Sequence, residues 1–144
     1  MDADKRKFMK ICILLVCLFF YWGMWHLVYK PDTEYKRRFK RILGIKLTPD
    51  VEDIRYYGDY IGIDFSVYLS FTCDYSTIKR IISAKGLKLA RDNDMGGLSF
   101  PSSWCVEEKI STIRPYKKSK GYDFHQYLWY DKDNRKAYYR EFST

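Results

Sequence analysis

The 144 residues contain no glycine-rich phosphate loop, no paired-cysteine metal motif, no internal repeat and no low-complexity linker. The first two absences exclude the common phosphate cradle and the cysteine-held metal site, because each needs its donors at fixed short spacings. Histidine is scarce, with two residues, and cysteine nearly so, with four. The polar stretch "RDNDMGG" holds Asp92 and Asp94, but the later glycine and bidentate glutamate of a calcium loop do not follow at their positions. No metal and no cofactor is expected. Acid is in short supply too: eighteen Asp and Glu face twenty-six Lys and Arg, a formal net charge of +8.

Against these absences stands one long presence. "ICILLVCLFFYWGMWHLVY", Ile11 to Tyr29, runs nineteen residues without a formal charge. At about 1.5 Å per residue this is about 28 Å of helix, close to the hydrocarbon thickness of a bilayer. A cleaved signal peptide would have a shorter apolar region and small residues at its cleavage site, and neither is present. Cys17 does not offer a lipidation site, since branched Val16 precedes it where a small residue is needed. His26 stands beside Trp25 and near Tyr29, residues that favour the membrane interface. The run reads as a single transmembrane signal-anchor.

Its orientation carries conflicting signals. Lys5, Arg6, Lys7 and Lys10 precede the run, which favours export of the downstream domain, yet seven Lys or Arg lie between Lys30 and Lys46. A short basic tail directly before the first apolar segment tips the expectation to a single-pass membrane protein with its domain outside the cytoplasm.

Location of the charge decides its meaning. From Leu47 to Thr144 there are fifteen basic and fourteen acidic residues, so the excess hugs the membrane. A nucleic-acid binder would show a basic face within its domain, so no nucleic acid is expected as a partner. Lipid contact explains the excess better, each Lys or Arg near anionic headgroups gaining about 1 kcal/mol. "YKKSK", Tyr116 to Lys120, is a second small cluster and reads as a solvated loop.

The chain divides into a basic tail and transmembrane helix (1–30), a juxtamembrane amphipathic helix (31–46) and a small domain (47–144). In "DTEYKRRFKRILG", Thr33 can cap, Tyr35, Phe39, Ile42 and Leu43 share one face, and Gly44 stops the helix. Lys36, Arg37, Lys40 and Arg41 form the opposite face, a candidate membrane-surface site. "IDFSVYLSFTC" alternates Ile63, Phe65, Val67, Leu69, Phe71 and Cys73 with polar or aromatic residues, the period of a strand with one buried face. "VEDIRYYGDYIG" is its partner, broken near Gly58 and Asp59. Asp74 caps a helix over "YSTIKRIISAKG", with Ile78, Ile81 and Ile82 inward and Gly86 as its stop. "HQYLWY" and "KAYYREF" form a hairpin around "DKDNR", with at least one row of tyrosines exposed. The expected fold is α+β: a small antiparallel sheet with two helices packed on one face.

Residues that could carry chemistry are few. Cys73 and Cys105 could form a disulfide in an oxidising compartment or remain separate thiols. Cys105 and His125, with Asp123 orienting the imidazole, would make a small thiol hydrolase, although no nucleophile-elbow context surrounds the cysteine. Asp53, Asp59 and Asp64 read as solvated strand and turn carboxylates. The order of "FKRILGIKLTPDV", "CDYSTIKRII", "FPSSWC" and "LWYDKDNRKAYYREF" resembles uncharacterised small bacterial cell-envelope proteins, each with an N-terminal membrane anchor and one α+β domain. That resemblance implies an envelope location, at the bacterial inner membrane, and no reaction. The expected function is a membrane-anchored, non-enzymatic binding or accessory domain whose tyrosines supply contact area for a protein partner.

Overall fold

The computed structural model describes residues 13, 15–21, 23, 31–61, 63–92, 100–104 and 107–143. The chain forms two units, Met1–Arg37 and Arg38–Thr144. In the first, residues 13, 15–21 and 23 are helical. Among the described residues, no helix is long and apolar enough to cross a membrane. Ten positions of the expected transmembrane run, 11, 12, 14, 22 and 24–29, lie outside the described residues.

Helix α1 is Pro31–Leu43. It starts two residues before the expected Thr33 cap, because proline suits the first helical position, where its missing N–H has no partner to lose. Phe39, Ile42 and Leu43 are buried as their spacing requires, and each buried side chain is worth about 1.5–3 kcal/mol. The helix ends at Gly44, whose φ of +75° is open to glycine at little cost and whose N–H donates to the Lys40 carbonyl.

Strand β1, Glu52–Ile61, pairs antiparallel with β2, Asp64–Thr72. The expected break at Gly58 and Asp59 does not occur; the strand runs through both. A Cβ at Gly58 would strike the Tyr56 hydroxyl, which bonds the Tyr60 hydroxyl at 3.3 Å across the glycine. Ile63, expected on the core face of β2, is 95 % exposed in the turn before it.

Helix α2, Tyr75–Lys85, follows with Gly86 as its left-handed C-cap. Strands β3 (Lys88–Leu89), β4 (Tyr116–Lys120), β5 (Phe124–Asp131) and β6 (Lys136–Ser143) complete a six-stranded sheet of order β1-β2-β6-β5-β4-β3. Every pairing is antiparallel. "YKKSK" is therefore a strand and not a loop, held by its register with β5 despite lacking an apolar period.

One sheet face, with Val67, Leu69, Phe71, Leu128, Tyr130, Ala137 and Tyr139, shares a core with Phe39 and Leu43 of α1 and Ile78 and Ile81 of α2. Two helices on one face is the layer arrangement the sequence pattern called for. The other face is also covered. Tyr68, Tyr127, Trp129, Tyr138 and Phe142 form a second core with Phe100 and Ile110, from the segment joining β3 to β4. The tyrosine row expected to be exposed on the β5–β6 hairpin is thus buried: Tyr127, Tyr130, Tyr138 and Tyr139 all lie inside. A phenol ring tolerates both solvent and core, so alternation alone could not tell which side the tyrosines would face.

Candidate functional site

The four residues proposed as a membrane surface, Lys36, Arg37, Lys40 and Arg41, are exposed along α1. Arg38, between them, turns the other way and lies over the Tyr56 ring at 4.7 Å, a cation–π contact that ties the helix to β1.

The thiol candidates do not converge among the described residues. Cys105 lies outside them. Cys73 is a free thiol with no exposure, its pKa pushed up to about 12 by burial and then by the neighbouring Asp50 and Asp74 carboxylates, which makes it a poor nucleophile. His125 stacks on Phe142 at 4.9 Å. Its Nε2 donates to the Tyr122 carbonyl at 3.0 Å, which leaves Nδ1 to accept from the Ser119 hydroxyl at 2.9 Å. Both nitrogens are engaged, and a base role would have to displace one of these bonds. Asp53, Asp59 and Asp64 are exposed. Asp59 and Asp64 share a crevice of about 70 Å³ with Phe65, Ser66 and Ser143, too small for more than solvent.

A larger concavity opens at the β3–β4 edge. It measures about 880 Å³ and is lined by Lys88, Arg91, Asp92, Lys117, Lys118 and Ser119, among others. The fold builds it in three steps. Gly86 turns the chain out of α2, so that Lys88 and Leu89 can pair with Lys117 and Tyr116. That register sets Lys88 directly opposite Lys117. Lys118 points to the other face and donates to the Lys85 carbonyl at 2.9 Å, near the end of α2.

A like-charge pair opposite itself in a sheet is destabilising. Here it stands where a short edge strand meets an open groove, whose lining among the described residues also holds Arg91, Lys118 and the Asp92 carboxylate. The Lys118 partner is a neutral carbonyl, so its charge is not cancelled. Such a surface can hold an anion with several negative oxygens. The sequence pointed to Lys117 and Lys118 only as a lysine run. Lys88 and Arg91 had no signal, because the pairing that joins them to β4 spans a separation of 29 residues between Lys88 and Lys117. No protein-family model, no curated protein and no solved structure matches the chain.

Proposed function

We propose that this chain is a membrane-tethered, non-enzymatic binding domain of the cell envelope, and that it takes a polyanionic partner in the β3–β4 groove. The tether is the uncharged run Ile11–Tyr29. In support, the large apolar side chains of Ile13, Leu15, Val16 and Leu18–Tyr21 are 56–76 % exposed. Leu15–Tyr21 is nearly two helical turns, so apolar surface points to every side, as it does in helices that sit in hydrocarbon. The basic face of α1 begins, with Lys36, seven residues after the run in sequence.

The observation that carries the binding role is the groove itself. In a stretch of 98 residues with almost balanced charge, Lys88, Arg91, Lys117 and Lys118 line one concavity, with Asp92 as its carboxylate among the described residues. Titration calorimetry of the full chain in neutral detergent, with tripolyphosphate as the probe, tests this. Binding is expected to weaken as salt rises. Lys88→Glu with Lys117→Glu should weaken it by about tenfold or more, the loss of two close charges and the gain of two repulsions. Lys36→Glu with Lys40→Glu, on α1, should leave it unchanged. Equal affinity in the groove variant overturns the reading.

A further inference from the structure

The two edges of the sheet are not alike. At one end β3 is two residues long and carries a lysine, and natural sheets blunt edges with such short, lysine-bearing strands. At the other end β1 is ten residues long, with no proline and no lysine. Among the described residues β1 has a strand neighbour on one side only. It also exposes Tyr57 at 46 % and Tyr60 at 62 %. An edge of that length needs either protection or a partner.

Which partner it fits depends on the order of its residues. A bulge between Glu52 and Arg55, with Asp53 at φ +51°, disturbs the start of the strand and leaves Arg55–Ile61 as the regular segment. Tyr57 lies inside it. Arg55 and Asp59 lie two residues to either side, both exposed, and neither is in an ion pair among the described residues. If a second β1 lies antiparallel with Tyr57 opposite Tyr57, Arg55 of each copy falls opposite Asp59 of the other. The same register sets Tyr56 of each copy opposite Gly58 of the other.

The backbone agrees with that register. Ile61 and Asp64 close the two-residue turn between β1 and β2, and residues along a strand alternate between those bonded to the neighbour and those facing away. Counting back from Ile61, the peptide groups of Tyr60, Gly58 and Tyr56 face outward. In the self-pairing 56 and 58 become the hydrogen-bonded pairs. Arg55 with Asp59 and Tyr57 with Tyr57 become the closer, non-bonded pairs, in which side chains meet best.

We propose that two copies of the chain associate through β1 in this register, joining their sheets into one of twelve strands about a twofold axis at Tyr57. The interface is isologous, each patch meeting its own copy. Because the axis stands perpendicular to the sheet, the face that carries Phe39 and Leu43 of α1 lies on the same side in both copies. The inference rests on β1 and not on the groove or the tether.

The full chain in detergent micelles, with its four cysteines replaced by alanine, tests it with single introduced cysteines under mild oxidation. Opposed Cα atoms in a non-bonded antiparallel pair are about 4.5 Å apart, within disulfide range. Tyr57→Cys should therefore cross-link to a dimer, whereas Tyr122→Cys, on a loop residue 96 % exposed, should not. Arg55→Asp should raise the dimer dissociation constant by about tenfold or more, since two attractive pairs become repulsive. Adding Asp59→Arg to Arg55→Asp should restore it. Cross-linking at Tyr57 no faster than at Tyr122, a chain that stays monomeric throughout its soluble range, or a double exchange that fails to restore dimers would each overturn the proposal.

Discussion

Asp50 does at residue scale what Asp74 was expected to do. Asp74 stands at the N-cap position of α2 in extended backbone, yet its side chain makes no cap bond. Its carboxylate instead pairs with Arg135 at 2.6 Å. The first turn of the helix is served from outside, by Asp50, which accepts from the Asp74 N–H at 2.9 Å and from the Thr77 hydroxyl at 2.8 Å. Burial opposes ionisation of Asp50, but bonds from Thr48, the Asp74 amide and Thr77 outweigh it and bring its pKa down to about 2. A carboxyl depressed in the folded state stabilises above its unfolded value and loses that contribution as pH falls through its folded one. Asp50→Ala is therefore expected to cost about 1 kcal/mol at pH 7, as loss of a cap does, with the small shielding of this group keeping the figure low. The difference from the parent should shrink between about pH 4 and pH 2. Urea unfolding at pH 7 and pH 2.5 measures both, and an equal cost at the two values would show that the carboxylate charge is not what stabilises the helix. "KLTPD" announced a turn, but a cap supplied from 24 residues upstream leaves no local pattern to read.

Among the elements, those with a clear period were legible and those without were not. Strand β2 and helix α2 repeat their apolar residues at two and at three to four and form close to where that repeat sets them, except that Ile63 falls outside β2 and Tyr68 and Ser70 on its other face are buried as well. The hairpin of β5 and β6 was legible as a hairpin, but its faces were not. Covering its second face is Phe100, whose ring meets Tyr68 at 5.4 Å, Trp129 at 5.6 Å and Tyr138 at 6.1 Å, each edge-on. Nothing in "SFPSSWC" marks that phenylalanine as the centre of a cluster, because its partners come from three different strands. Arg140 adds to the same layer, its guanidinium held between Tyr68 at 4.8 Å and Phe142 at 4.7 Å, so that a charged residue is buried on an aromatic floor. Phe100→Ala should cost about 3 kcal/mol, the lower end of the range for a buried phenylalanine because the covering segment can settle onto the sheet. It should also shift tryptophan emission to the red as water reaches Trp129, which is fully buried in the parent. A denaturation midpoint unchanged in the variant would mean that the second core contributes little and that the sheet is held by its helical face alone.

For the whole molecule, the proposed tether raises the question of which side of the membrane the folded part would occupy, since that decides which anions the proposed groove would meet. Four basic residues precede the apolar run and seven come after it up to Lys46, and a count of positive charge alone would hold the second set inside. Those seven are not all loop residues, however. Lys36, Arg37, Arg38, Lys40 and Arg41 belong to α1, whose Phe39 and Leu43 lie in the core of the domain. Charge bias acts mainly through short connecting segments, while long domains translocate largely regardless of it. With most of the later charge built into a folded element, the short tail with Lys5, Arg6, Lys7 and Lys10 is the stronger determinant. The domain is expected outside. Tyr122→Cys in the cysteine-free chain is a suitable reporter, because that position is almost fully exposed on the turn between β4 and β5. In intact bacteria a membrane-impermeant maleimide should label it to the same extent before and after lysis. Labelling only after lysis would place the groove in the cytoplasm, where the anions within its reach are those of the inner leaflet and of soluble phosphate esters, and an envelope partner would no longer fit.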